Sequence, residues 1–301
     1  MSLYLAFDIG GTDVKWGLID GEGEIRLQDQ FSSNHADGDA ILQGMVDQYR
    51  KHAAQITGVA ISAPGFVDPD RGYLETGGAI RSFYDFHMKA YLEERMHVPV
   101  TVENDVNCVA LAEKWKGNAQ QDTDFLCLTI GTGVGGALFL RNELYRGHGF
   151  RAGEFGFMIT QGLHNHIPVE CTMSRVGAMR ALREKYAMAM NLSPQEVTGF
   201  DVFAAYDRQE PIAVHLVGMF LQNIAIGIYN LCYILNPKKI LLGGGITSRE
   251  TLLAEIKGHL AYLGVTDKEV ELDLCHFRNN AGIVGAVYHH LQQQKIGKEP
   301  L

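Results

Sequence analysis

Apolar and polar residues alternate with a period of two over Tyr4-Leu5-Ala6-Phe7-Asp8-Ile9 and again over Val14-Lys15-Trp16-Gly17-Leu18-Ile19. That period belongs to strands with one buried face. Gly10-Gly11-Thr12 separates the two runs, and Asp20-Gly21-Glu22-Gly23 is strong turn chemistry before Glu24-Ile25-Arg26-Leu27 resumes the alternation. The pattern predicts a three-stranded meander. From about Asp39 the period changes, placing Ile41, Leu42, Met45, Val46 and Tyr49 on one helical face. Gly58–Ser62 reads as a buried strand closed by Pro64-Gly65. A helix over about 86–96 follows, then a strand at Val98–Val102 running into Glu103-Asn104-Asp105, which opens another helix.

After a polar stretch the same plan restarts. Phe125–Ile130 is a predicted strand, Gly131-Thr132-Gly133-Val134-Gly135-Gly136 a glycine loop, Ala137–Leu140 a strand, and Arg141-Asn142-Glu143 a turn into Leu144-Tyr145. The first glycines of the two loops, Gly10 and Gly131, are 131 − 10 = 121 positions apart. This is a duplicated supersecondary unit, weak in identity and clear in pattern. Helices near 169–190, 211–234 and 248–263 follow, with strands at 239–242 and 269–277 and a last helix at 280–294. The expectation is an α/β protein of two mixed domains with a central cleft. The first domain spans 1–116 and is completed by 280–301, and the second spans 117–279.

Charge narrows the function classes. The 301 residues carry 26 Lys and Arg against 35 Asp and Glu, a net of −9, with no basic block denser than Lys238-Lys239. A nucleic-acid reader needs clustered cations to neutralise phosphates, so that class is disfavoured. The N-terminal residues lack the pattern of a signal peptide, and no unbroken apolar run reaches about 18 residues, so no membrane span is expected. The five cysteines (Cys108, Cys127, Cys171, Cys232, Cys275) are widely spaced with no C-x-x-C pair, as in reduced cytoplasmic proteins.

Glycine is in excess, 34 of 301 residues, against a usual share of roughly 7%. Three glycine clusters end predicted strands: Gly10-Gly11, Gly131–Gly136 and Gly243-Gly244-Gly245. Without a Cβ, such loops admit an anion close to the backbone. Gly131-x-Gly133-x-x-Gly136 satisfies the dinucleotide fingerprint in form, but that fingerprint requires a helix immediately afterwards. The following residues read as strand and turn. No Walker sequence occurs either. The loop is therefore expected to be a hairpin grip on phosphate.

Asp8-Ile9-Gly10-Gly11-Thr12 resembles the first phosphate loop of sugar kinases in the actin-like ATPase superfamily. Glu103-Asn104-Asp105, the Gly131–Gly136 loop, Gly153-Glu154-Phe155-Gly156 and Gly243-Gly244-Gly245 follow in the order seen in the ROK family of sugar kinases and sugar-sensing repressors. The likeness spans nearly the whole chain. It implies two ribonuclease-H-like domains with ATP and sugar meeting in the cleft, and a cytoplasmic homodimer.

The resemblance makes Asp105 the general base that takes a proton from a sugar hydroxyl, a step that needs a carboxylate in hydrogen-bond reach. Helix capping by Asn104 or Asp105 is the competing account. The implied sugar-binding set is Asn104, Glu154, Glu170, Gly65, Gly78 and Arg81. The implied nucleotide-binding set is Asp8, Gly10, Gly11, Thr12, Lys15, Gly131, Thr132, Gly133, Gly243, Gly244 and Gly245, with Asp8 ordering Mg2+ through water. Solvated side chains are the plainer reading of Lys15 and Arg81.

Many family members carry a histidine three residues after the Gly-Glu pair and a cysteine cluster beyond, together binding structural zinc. Here the first position is Phe157, and the following loop holds His164, His166 and Cys171. Zinc is expected to be absent, and the aromatic face leaves room for a sugar substituent. The tandem His289-His290 is expected at a surface. The pattern over 76–81 and the zinc-less loop most resemble beta-glucoside kinases, with glucokinase and N-acetylmannosamine kinase as alternatives. A repressor would carry a helix-turn-helix before the first phosphate loop, where only seven residues precede Asp8. A silent sugar-binding protein is disfavoured by the joint presence of Asp8, Asp105 and Glu154.

Overall fold

The computed structural model describes residues 2–163 and 167–296. The chain separates into two compact units. Residues 1–121, 144–152 and 279–301 form the first, and residues 122–143 and 153–278 the second.

The first unit begins with β1 (Leu3–Ile9), β2 (Asp13–Asp20) and β3 (Ile25–Ser32), the antiparallel meander its alternation predicts. Helix α1 (Gly38–His52) starts under the Asp37 side chain, which accepts from Asp39 N and Ala40 N, and it carries Ile41, Leu42, Met45 and Val46 inward. Strand β4 (Ile56–Ala63) then pairs parallel to β1. A two-residue hairpin that the pattern did not show, β5 (Val67–Asp68) and β6 (Tyr73–Leu74), precedes α2 (Met88–Met96). Strand β7 (Val100–Asn104) pairs parallel to β4 and passes directly into α3 (Asp105–Lys116). The sheet order is β3-β2-β1-β4-β7, over a core that includes Phe7, Ile61, Phe83 and Val102.

The second unit repeats the arrangement with β8 (Phe125–Ile130) and β9 (Val134–Leu140); β10 (Glu143–Tyr145) follows, starting at Glu143 of this unit and running into the 144–152 segment of the first. Next come α4 (Met173–Val176), α5 (Met179–Ala189), α6 (Gly199–Asp207) and α7 (Pro211–Leu235), followed by β11 (Lys239–Gly243), α8 (Leu252–Tyr262) and β12 (Glu271–Leu274). The sheet order is β10-β9-β8-β11-β12, with β9-β8 antiparallel and β8-β11 and β11-β12 parallel, as β2-β1, β1-β4 and β4-β7 are in the first sheet. The duplication read from the sequence is thus a duplication of topology. The last helix, α9 (Ala281–Ile296), belongs to the first unit and packs on α3, β4 and β1.

Three details differ from expectation. The helix predicted over 169–190 is broken, because Ala178 is extended and Met179 N bonds Gly131 O at 3.0 Å instead of continuing a helical ladder. Helix α6 is an element the pattern does not predict, although Thr198 and Asp201 form a capping box at its start. Helix α7, with 25 residues, is long and apolar enough to cross a membrane by length and composition, although polar residues such as His215, Gln222 and Asn223 interrupt its apolar run. Half of its most apolar window is buried in the unit, where the helix packs on α5, α6 and α8.

Candidate functional site

In the first unit the Gly10–Thr12 loop is held from below. Gly10 N donates to Asp13 O at 3.0 Å, Ser33 N to Thr12 O at 2.8 Å, and Ser33 Oγ to Gly10 O at 2.6 Å. Gly11 and Thr12 stay exposed. A Cβ on Gly10 would sit 2.8 Å from Asp13 O, so the turn needs glycine there. Asp8 ends β1 with Ser62 Oγ donating to its Oδ1 at 2.6 Å. Burial raises the Asp8 pKa, and the Ser62 bond and the Lys15 charge oppose that without cancelling it. Lys15 faces Asp8 in the β1–β2 ladder and donates to Asn279 O at 3.2 Å.

At the other parallel strand end, Asn104 is the helix cap. Its Oδ1 accepts from Val106 N at 3.0 Å and Asn107 N at 3.1 Å, while its Nδ2 donates to Gly65 O at 3.0 Å. Asp105 is the first residue of α3, and its Oδ1 accepts from Val106 N at 2.8 Å. Gly65 (φ +93°) lies so close to Thr76 O that a Cβ would overlap it, and the same atom would be 2.9 Å from Gly78 N. Asn104, Gly65 and Gly78 therefore form one cluster. Arg81 is exposed and sits over the Tyr84 ring, 5.1 Å from its centroid, while Tyr84 Oη donates to Gly78 O at 3.1 Å.

Beneath Asn104 lies a network the sequence did not reveal. Glu103 is fully buried and accepts from Asn104 N at 2.8 Å, Asn107 Nδ2 at 3.0 Å and Arg146 Nε at 2.8 Å. His289 Nδ1 lies 3.9 Å from Glu103 Oε2. The placement of His289-His290 at a surface is corrected: both are buried, because α9 packs that face against the sheet. His290 Nδ1 contacts Thr101 Oγ1 at 3.0 Å and its Nε2 contacts Gln294 Nε2 at 2.8 Å. Burial lowers the pKa of both rings, for His290 to about 4.

In the second unit the Gly131–Gly136 loop joins β8 to antiparallel β9, with no helix after it. A dinucleotide turn is excluded. Gly131 N donates to Gly133 O at 2.9 Å, and Ser174 Oγ accepts from Val134 N at 3.0 Å. Thr132 and Gly133 are exposed. Gly136 has another purpose, since a Cβ there would overlap the Phe155 ring. At the end of β11, Gly244 (φ +87°) packs on the backbone of Ile130, immediately before Gly131, and a Cβ would overlap Ile130 O. Gly243 and Gly245 flank it, and Gly245 opens onto a cavity of about 750 Å³ that also touches Phe200, Phe203 and Arg249. The two glycine loops of this unit thus lie together, beside a cavity large enough for a small ligand.

Gly153 (φ +93°) packs on Gly136 O, where a Cβ would stand at 2.7 Å. That contact fixes Glu154, half-buried, whose carbonyl accepts from Phe157 N at 3.1 Å. Glu170 is exposed in a 3₁₀ turn, 3.8 Å from Arg175 Nε. The bridge between Ile159 and Thr172 ties the segment after Glu154 to the segment after Glu170. Phe157 is exposed. Cys171 is buried, and His164 and His166 lie outside the described residues.

Among the described residues no group of three His, Cys, Asp or Glu side chains is arranged to hold a metal. A single carboxylate such as Asp8 suits Mg2+, which keeps several waters and takes other ligands from phosphates. Ser62 and Ser174, which steady Asp8 and Val134, have no sequence signal beyond their positions.

Paired five-stranded sheets of one topology, with glycine turns at the strand ends, place the molecule with the sugar kinases of the actin-like ATPase fold. The chain belongs to the ROK family, which it matches over residues 4–293. It is 44% identical over 289 residues to the beta-glucoside kinase of Listeria innocua, covering 96% of this chain and 97% of that one. The structure of Lmo2764 from Listeria monocytogenes superposes with a TM-score of 0.93 at 42% identity, covering 97% and 99% of the two chains. A ROK family glucokinase from Streptomyces griseus, solved with glucose and AMPPNP, gives 0.78 at 25% identity over 95% and 98%. The protein is an ATP-dependent sugar kinase.

Proposed function

We propose that the protein transfers the γ-phosphoryl group of ATP to the 6-hydroxyl of the glucose ring in a beta-glucoside, with Asp105 as general base. The observation that supports the base assignment is the division of labour between two neighbours. The carboxamide of Asn104 caps α3 and binds Gly65 O, while Asp105 presents a carboxylate at the first turn of the helix. Helix N-terminal amides favour negative charge there. A carboxylate is the group that accepts the hydroxyl proton as the bond to phosphorus forms. Asn104 is the residue that caps both Val106 N and Asn107 N, and it keeps one amide hydrogen for a sugar oxygen, while Asp105 shares Val106 N through Oδ1.

In this reading Glu154 and Glu170 accept hydrogen bonds from ring hydroxyls. Gly65, Gly78 and Arg81 complete the sugar contacts from the cluster around Asn104. Gly10, Gly11, Thr12 and Lys15 bind phosphate in the first unit, and Gly131, Thr132 and Gly133 do so in the second. Gly243 to Gly245 border the base and ribose. Asp8 holds Mg2+ through water, and Mg2+ supplies neutralising charge on the phosphates.

Two features favour a beta-glucoside over free glucose or N-acetylmannosamine. One is the 44% identity to a beta-glucoside kinase over almost the whole chain. The other is Phe157, an exposed aromatic ring in the turn that carries Glu154, suited to an aglycone. We also propose a cytoplasmic homodimer joined through the second unit, where Tyr233 and Ile234 of α7 are exposed at 61% and 73%. Product analysis by phosphorus–proton NMR after reaction with cellobiose and with aryl beta-glucosides tests the substrate and position. A phosphate ester on C6 of the non-reducing glucose is expected. Turnover of free glucose alone would overturn the beta-glucoside reading.

A further inference from the structure

The cavity beside Gly245 is lined by Met179, Phe200, Phe203, Asp207 and Arg249, among others. Arg249 is held there by two carboxylates. Its Nε and one terminal nitrogen donate to Glu255 at 2.8 and 2.5 Å. Its two terminal nitrogens donate to Asp207 at 3.1 and 2.8 Å. Four of the five N–H donors of a guanidinium are thus occupied in its own plane. The pairing raises the Arg249 pKa, chiefly through the bonds to Glu255 and Asp207. The guanidinium carbon lies 4.6 Å from the Phe203 ring centroid and 5.4 Å from that of Tyr206.

With its edges satisfied and one face set over Phe203, this largely buried guanidinium has only the face toward the cavity left to offer. Two carboxylates against one guanidinium also leave the group net negative, which disfavours phosphate as its partner. We infer that Arg249 is a specificity-determining residue of the nucleotide site, a fixed cationic plate against which the planar purine ring stacks. The inference rests on the nucleotide reading of the Gly243–Gly245 loop. Asp207 and Glu255 act as positioning residues that hold the plate flat, so little side-chain freedom is lost when the base arrives. Stacking reads the presence of an aromatic plane, which every base has, and not the pattern of groups on its edge. The site therefore selects nucleotides over bare polyphosphate while discriminating weakly between adenine and guanine.

Titration calorimetry with adenosine, ADP and tripolyphosphate separates the base from the phosphates. Arg249→Lys removes the plate, and it is expected to weaken adenosine and ADP binding about tenfold. Tripolyphosphate binding should be unchanged, and KM for ATP should rise far more than kcat falls. GTP should support turnover within about tenfold of ATP. Unchanged adenosine and ADP affinity in a folded Arg249→Lys protein would overturn the inference, as would loss of GTP turnover by a hundredfold or more. Asp207→Asn, at a half-exposed residue, frees one edge of the plate and covers the case in which Arg249→Lys does not fold. It should weaken adenosine severalfold, and an unchanged affinity would again overturn the proposal. Wild-type protein that binds neither ADP nor tripolyphosphate would overturn the nucleotide reading itself, and the inference with it.

Discussion

Glu103 and Arg146 form an ion pair with a fully buried carboxylate, Arg146 placing Nε and a terminal nitrogen at 2.8 and 2.6 Å from the same oxygen. The other oxygen of Glu103 accepts from Asn104 N and Asn107 Nδ2. One buried carboxylate thus fixes the strand end that carries Asn104 and Asp105. It also anchors residues 144–152, the segment leading directly into Gly153 and Glu154. Removing one partner of such a pair leaves a charge without compensation.

Arg146→Met is therefore expected to destabilise the protein by about 3 kcal/mol, the usual scale for breaking a buried pair. The urea midpoint should fall with an unchanged slope. A loss below about 0.5 kcal/mol would show that the pair resembles an exposed salt bridge in its effect.

Gly282 is the second residue of α9, and a Cβ at that position would overlap the Asp8 carboxyl group. Ser62 already restrains that carboxyl from the other side, so it has little freedom to yield. Gly282→Ala should lower kcat/KM by about a hundredfold, the scale of a 1 Å displacement at a reacting centre. Overpacking should cost about 1–3 kcal/mol of stability. An Ala variant within twofold of wild type would contradict the placement of Asp8 in the phosphate and Mg2+ machinery.

His290 gives a prediction in pH. Its folded pKa is about 4, below the 6.5 of a free histidine, because it is buried, with His289 and Lys89 adding to the effect. Between those values the unfolded chain binds the extra proton, so stability falls as pH falls through this window. The loss attributable to His290 should be about 3 kcal/mol by pH 4. His290→Gln should flatten the decline in urea-unfolding free energy between pH 6.5 and 4. A curve parallel to wild type would place the acid sensitivity elsewhere.

Short apolar runs bounded by turn residues made both sheets legible, because β1, β2, β8 and β9 are buried along most of their length. The short apolar run Ala137–Leu140, closed by Arg141-Asn142-Glu143, also distinguished the Gly131 loop from a dinucleotide turn, since it forms the end of β9 where that turn needs a helix. Packing that joins distant segments was not legible. Nothing local to Arg146 announces a partner at Glu103, 43 residues away. The histidine pair read as surface because imidazole is polar, and only the packing of α9 on the sheet buries it. Arg249 carries no sequence signal beside the Gly243–Gly245 motif, because its partners Asp207 and Glu255 become a clamp only in the folded unit. The sugar and nucleotide residues were read from motif order, which resemblance supplied and periodicity alone did not.

The central claim, a sugar kinase with Asp105 as its base, is tested most directly by coupled ADP release from wild type and Asp105→Asn in the presence of cellobiose. Wild type should release ADP only when sugar is present. Asp105→Asn should fold normally, bind ADP with wild-type affinity, and turn over about 10²- to 10⁴-fold more slowly, the usual contribution of general base catalysis. Turnover of Asp105→Asn within a few-fold of wild type would contradict the account.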